Sequence, residues 1–340
     1  MKSLIPIKLS PVVRARLLLF VGYPAFFVFC LLMFGYCTFP YDTLRDYIVQ
    51  EVERPADVTG HRRSSGYELQ IEDMGPAFLM GVSLEGVRFT KLAETPEDRP
   101  LSVSLDEAEL HVSLLSLLFG DIDASFDAEV GDGSIEGEYE ADEETVHIEA
   151  ELDEVDLQRL EVFSGLVGLP VQGIATGEVD LTVASTPAET TGNGTLSVAG
   201  LTIGDGRAKL KLRGMSSGLT VERVDAGTLS LSMVVREGVA HFERLQADGR
   251  DLELEGSGTI RLLNPLKLSR LDMMLRFKFN DAYKNRNDRT RGLFTIIEYQ
   301  PQIRAARTPD GWLQYRIDGT FGTSVHSTPA GGSRRLGNRR

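Results

Sequence analysis

The sequence predicts a mainly β protein: an N-terminal transmembrane helix followed by a long curved antiparallel sheet, shaped as a groove or incomplete barrel, with a few short helices. Three observations predict it. Segment after segment beyond residue 66 alternates apolar and polar side chains with period two. Glycine, at 34 of 340 residues, recurs between those segments where turns are needed. One uncharged apolar run lies near the N-terminus.

That run comes first in the chain. From Leu17 to Pro40 no side chain is charged, and LLLFVGYPAFFVFCLLMFGY supplies the roughly 20 apolar residues that a bilayer core of about 30 Å demands. Residues 17–37 are read as the span, with Leu17, Phe20, Phe26, Phe27, Phe29, Leu31, Leu32, Phe34 and Tyr36 facing lipid. Gly22 and Pro24 are tolerated in such a helix and imply at most a kink. Residues 1–16 carry four basic side chains and no acid, so the positive-inside rule leaves them cytoplasmic and exports the rest. A cleaved signal peptide would have a shorter apolar core followed by a small-x-small site, and Phe34-Gly35-Tyr36-Cys37 offers no good cleavage point. The expected location is therefore a bacterial inner membrane, with residues 38–321 forming a periplasmic β-rich domain.

Past the span, Asp42 is read as the N-cap of a short helix carrying Leu44, Tyr47, Ile48 and Val52 on one face. Strands follow at 67–72, 82–90 and 101–112. The clearest is DIDASFDAEV, where Ile122, Ala124, Phe126, Ala128 and Val130 alternate with acids. Turns at Gly131-Asp132-Gly133 and at 142–145 join it to SIEGEYE and VHIEAEL, a meander with an acidic exterior. Further strands are expected at 177–184, 194–203, 207–213, 218–224, 227–235, 239–248, 252–261, 271–280, 303–307 and 312–319. Helices are expected at 113–119, at 156–167 behind a cap at Asp153 or Asp156, and at 289–299. A linker is considered near 185–192, and 322–340, ending SRRLGNRR, reads as a disordered tail.

Charge is strongly segregated. The chain carries −14 overall, yet residues 261–340 hold 16 basic and six acidic side chains, which leaves −28 for residues 17–260. Such a field repels phosphates, so nucleic acid is not an expected partner. Asp121, Asp123, Asp127, Glu136, Glu138 and Glu140 form the candidate partner-binding acidic face. Cys30 and Cys37 lie at the span, about 10 Å apart by helical rise, and no cysteine follows, so the exported domain has no disulfide to rely on.

The search for chemistry returns no catalytic, cofactor or metal site. His61, His111, His147, His241 and His326 are scattered without ligand spacing. Asp121-x-Asp123-x-Ser125 begins like an EF-hand loop, but Phe126 stands where its glycine must turn and Asp132 where its bidentate glutamate belongs. No nucleophile elbow, P-loop or dinucleotide fingerprint is present. A non-catalytic protein is expected.

Several segments together resemble a known family. The apolar run leading into Thr38-Phe39-Pro40-Tyr41-Asp42 resembles the start of type II secretion system protein N, in its delta-proteobacterial and spirochaetal subclass. SLLSLLFG with the later Gly133-x-Ile135-x-Gly137 is similar to the same family and its AsmA-like relatives. So are LDEVDLQRL with Gly168-Leu169-Pro170, the segment Gly177–Leu181, the segment Gly258–Leu268 with Leu271-Asp272, and Tyr315-x-Ile317-x-Gly319. The resemblance implies an inner-membrane scaffold of a secretion apparatus, with the secretin and inner-membrane platform proteins as partners. The AsmA-like kinship implies an alternative, a hydrophobic groove that takes a lipid ligand.

Overall fold

Alternating side chains can bury only one face of a strand, and neighbours joined by tight turns align those faces into a single surface. The computed structural model follows that rule across almost the whole chain. It describes residues 18–54, 64–77, 81–92, 101–113, 116, 119–160, 168–210, 219–263, 268–320 and 324–331. In chain order the strands are β1 (Tyr67–Gln70), β2 (Asp73–Ala77), β3 (Gly81–Lys91), β4 (Leu101–Val112), β5 (Ile122–Val130), β6 (Gly133–Ala141), β7 (Thr145–Asp156) and β8 (Val171–Ala184). Then come β9 (Thr191–Ile203), β10 (Lys209–Leu210), β11 (Leu219–Thr220), β12 (Val224–Arg236), β13 (Val239–Asp248), β14 (Leu252–Arg261), β15 (Arg270–Phe279), β16 (Leu313–Thr320) and β17 (Ser324–Pro329).

Fifteen of these strands make one open antiparallel sheet in the order β1-β3-β4-β5-β6-β7-β8-β9-β12-β13-β14-β15-β16-β17, with β2 also on β3. Nearly every strand pairs with its neighbour in sequence, so the sheet is a meander. The exceptions are informative. β10 and β11 pair only with each other and form a small hairpin between β9 and β12. Between β15 and β16, where two residues would suffice to turn, the chain inserts three helices: α3 (Asp281–Lys284), α4 (Asp288–Glu298) and α5 (Pro301–Ala306).

Turn chemistry fixes the register. Glu237 and Gly238 both adopt positive φ, 51° and 73°, the pair that a two-residue type I′ turn between β12 and β13 requires. Between β6 and β7 the Asp142 carboxylate accepts from the Glu144 and Thr145 amides, each at 2.7 Å. Those bonds hold its carboxyl below the usual carboxylate range. The connection at 185–192 is likewise a hairpin turn within the sheet and no domain boundary.

Before the sheet, residues 18–22 form a π-helical turn and α1 spans Tyr23–Cys37; a turn at 38–40 leads to α2 (Tyr41–Glu53). Among the described residues no single helix is long and apolar enough to cross a membrane. By length and composition α1 and α2 satisfy that requirement only as a pair, bent by 58°. Leu17 lies outside the described residues.

Several expectations are corrected. Asp42 is not the N-cap of α2: Pro40 holds that place, and Asp42 sits in the first turn, 3.5 Å from Arg45. Residues 153–156 do not open a helix. β7 continues through a bulge to Asp156, whose side chain then accepts from the Gln158 amide in a turn; residues 161–167 lie outside the described set, as does most of the helix expected at 113–119. The strand expected at 303–307 is α5, because Pro301 pre-sets helical φ at its first position while Ile303-x-Ala305 fits either period. Residues 324–329, read as tail, pair with β16 as β17, and β2 was not anticipated.

Candidate functional site

One face of the open sheet, the inner face or trough, carries apolar side chains strand after strand. From β3 to β13 the register lines up Val82, Leu110, Phe126, Gly137, Ala150, Val179, Gly194, Met233 and Phe242, strand after strand. At about 4.8 Å per strand this ribbon extends roughly 38 Å. Inward glycines let neighbouring side chains pack across it. Gly137, Gly177, Gly194 and Gly256 occupy inner positions, and the side chains of Phe126, Leu196, Met233 and Leu245 respectively lie across them. A Cβ at any of them would collide with a neighbouring side chain or backbone.

The trough is uneven in its cover. Along the N-terminal half large apolar side chains stand open to solvent: Leu110 is 40% exposed, Ile122 44%, Phe126 37% and Tyr139 38%. In the middle a cavity of about 510 Å³ lies over Leu196, Val198, Leu231 and Met233. One end of the strands is closed by a packed row that includes Val130, Val155, Val171, Val224 and Leu252, with Leu157, Leu160 and Leu169 beside it. A smaller cluster of Leu181, Val183, Val235 and Ala240 closes the other.

At the C-terminal end α3–α5 roof a second cavity of about 540 Å³. Its floor is Ile203, Val224, Phe277 and Leu313, and its roof is Leu293, Phe294, Ile297 and Ile303. Ile203 borders both cavities, so the lidded pocket continues the trough. The roof is fastened by aromatic packing, by an exposed pair of Arg289 with Glu222 at 3.6 Å, and by one buried ion pair. Tyr283 is buried, stacks on Phe279 at 5.6 Å, and donates its hydroxyl to the Glu222 carbonyl at 2.8 Å. Phe294 meets both rings edge-on, at 5.2 and 5.9 Å. Burial pushes the Tyr283 hydroxyl up to about 12, so it stays a donor at physiological pH.

The ion pair joins Arg286, between α3 and α4, to Asp251, which is 1% exposed in the β13–β14 turn. Asp251 also accepts from the Asp225 amide at 2.9 Å, and the Arg286 guanidinium donates to the Arg223 carbonyl at 3.0 Å. Burial pushes the Asp251 carboxyl up. Hydrogen bonds from Arg286 and the Asp225 amide, with the charges of Arg286 and Arg250, outweigh it and leave the group below the usual carboxylate range. α4 itself starts at a capping box in which Asn287 and Thr290 exchange side-chain and backbone bonds.

The outer face is acidic. Glu109, Asp127, Glu136, Glu151 and Glu178 stand in one row across β4 to β8, each directly opposite the next. Glu138, Glu149 and Asp180 form a parallel row, and Asp123 faces Glu140. The expected acidic face is thus assembled; Asp121, just ahead of β5, extends it. Like charges directly opposite one another oppose pairing by about 0.2–1 kcal/mol per pair. Glu136→Lys, between Asp127 and Glu151, is therefore expected to raise the melting temperature, and added salt should raise the wild type more than the variant. Thermal melts at low and high ionic strength check this.

The N-terminal motif has a structural role. Thr38 Oγ1 donates to the Phe34 carbonyl at 2.7 Å, and Phe39, Tyr36 and Tyr41 pack edge-on. The Tyr36 hydroxyl donates to the Gly81 carbonyl at 2.8 Å, tying α1 to the first residue of β3. Phe20, Phe26, Phe27, Phe29, Leu31 and Phe34 are exposed. Among the described residues no cluster of three or more His, Cys, Asp or Glu is arranged to hold a metal ion. Sequence reading missed the Asp251–Arg286 fastening and the pocket, although Leu293, Phe294 and Ile297 at helical spacing marked one apolar face of the roof. No protein-family model, curated protein or solved structure matches the chain.

Proposed function

We propose that this chain is a non-catalytic lipid-handling protein, anchored in the inner membrane by its N-terminal apolar helix and carrying acyl chains along the trough of a periplasmic sheet. The observation that carries the reading is the open apolar face itself. A packed β core buries its large side chains, whereas Leu110, Ile122, Phe126 and Tyr139 stand exposed on the apolar face. Exposed apolar surface of this length is costly in water, and acyl chains would cover it. The Tyr36–Gly81 bond, which ties α1 to β3, supports the reading, because lipid around an anchoring α1 would then lie near one end of the apolar face.

A second reading, a scaffold of a type II secretion system that binds the secretin or platform proteins, is favoured by the acidic outer rows. Those rows would attract a basic partner surface and make its capture salt-sensitive. Deleting the chain separates the two. Lipid handling leads us to expect altered outer-membrane lipid with normal exoprotein export. Exoproteins accumulating in the periplasm, with lipid unchanged, would replace it with the secretion role.

A further inference from the structure

We infer that the lidded pocket is the terminal site of the trough and takes a single aliphatic chain, apolar end first, with no charge anywhere along the enclosed part. The inference rests on the lipid-handling reading and deepens it by naming what the site admits. Residues 280–312 roof the pocket where a turn would have joined β15 to β16. Backbone pairing strings its floor across five strands: Ile203 lies opposite Val224, the Asp251 amide donates to the Asp225 carbonyl, Leu252 lies opposite Phe279, and Phe277 opposite Leu313. Four spacings of about 4.8 Å make the slot about 19 Å long. Its volume of about 540 Å³ then corresponds to a section of about 28 Å². Aliphatic atoms pack about 4.0–4.5 Å apart, so one chain needs about 20 Å² and two need about 40 Å². The slot is therefore one chain wide.

The charges around the pocket are all answered by one another. Lys278 lies between Phe277 and Phe279 on β15, so alternation turns its side chain to the opposite face, where Glu253 stands directly across from it. Lys284 pairs with Asp281 at 2.9 Å, and Arg307 with Glu298 at 2.7 Å. The Tyr283 hydroxyl is engaged by the Glu222 carbonyl. Among the described residues the lining thus holds no charge in excess, and an ionised group drawn inside would lose its water without gaining a partner. Hydrocarbon meets no such penalty: Leu293, Phe294 and Ile297 above, with Ile203, Phe277 and Leu313 below, give it apolar contact on both sides. Ile203 also borders the trough cavity, so a chain lying on the trough can continue into the pocket there and leave its headgroup outside.

The test uses the full chain in bilayer nanodiscs and palmitate carrying a diazirine next to its methyl end, with adducts mapped by peptide mass spectrometry after illumination. Roof segments 288–298 and 301–306 should be labelled. Unlabelled competitors, compared at matched mole fraction in the bilayer, then read the selectivity. Palmitate and hexadecanol should displace the label alike, because the headgroup lies outside. Hexadecanedioate, whose far end is also a carboxylate, should compete at least about tenfold more weakly. Ile303→Trp, which fills the slot from α5, should abolish the roof adducts while those on trough segments 194–198 and 229–233 persist. Competition by hexadecanedioate equal to that by hexadecanol overturns the uncharged interior. Adducts confined to the trough overturn the terminal site and leave lipid handling standing. Adducts in neither place remove both.

Discussion

Asp251→Ala is expected to unfasten the roof of the pocket and to cost about 3 kcal/mol of stability, the lower end of what removing one partner from a buried pair costs. The lower end applies because Arg286 keeps about a third of its side chain in solvent, 34%, against 1% for Asp251. Losing the carboxylate also strands the Asp225 amide and removes the only side chain joining the β13–β14 turn to Arg286 among the described residues. Chemical denaturation measures the loss, and amide exchange should rise first across 281–306. The same group predicts a pH dependence. Its carboxyl is held below the ordinary range, so the stabilisation is fully present above the unfolded value, about 3.9, and is lost as pH falls through the lower folded value. The Asp251→Ala variant should lack this part of the acid transition. An unchanged acid limb, or a variant as stable as the wild type, would mean the roof is held without the buried pair.

The meander was legible because its strands obey one local rule. Ile122-x-Ala124-x-Phe126-x-Ala128-x-Val130 can bury only one face, and turn residues such as Gly131-Asp132 fix which strand comes next. Where two periods coincide the sequence misled. Ile303 and Ala305 satisfy both strand and helix, and Pro301 decided for the helix. Asp153 and Asp156 look like helix caps, yet the same short carboxylates serve bulges and turns equally well. The acidic face was readable residue by residue, and only the register revealed that five carboxylates form a single row. The pocket was not readable at all. It depends on Asp251 meeting Arg286 and Tyr283 meeting Glu222, contacts 35 and 61 residues apart, for which no local pattern exists. The inner face holds one local signal: Gly137, Gly177, Gly194 and Gly256 stand inside strands, where glycine marks the close approach of a neighbour, and in the sheet a neighbouring side chain lies across each.

The two faces of the sheet should behave oppositely toward lipid, and adjacent residues separate them. On the paired strands β9 and β12, Leu196 and Leu231 are opposite one another on the inner face, and Ser197 and Ser230, one residue away, on the outer. These positions lie six and seven strand spacings, about 29 and 34 Å along the sheet, from β3, to which α1 is tied. Lipid reaching them has therefore travelled along the protein. A glutamate at Leu231 would place a charge against acyl chains at a cost of several kcal/mol unless it neutralises, and should abolish lipid capture there; Ser230→Glu should leave it intact. The most direct measurement places a photoreactive benzoylphenylalanine at each of the four positions in living cells and identifies what is captured by mass spectrometry. Acyl-lipid adducts at Leu196 and Leu231, with none at Ser197 and Ser230, are the expected result. Equal capture on both faces, or capture of protein alone at the inner positions, would contradict a lipid-carrying trough.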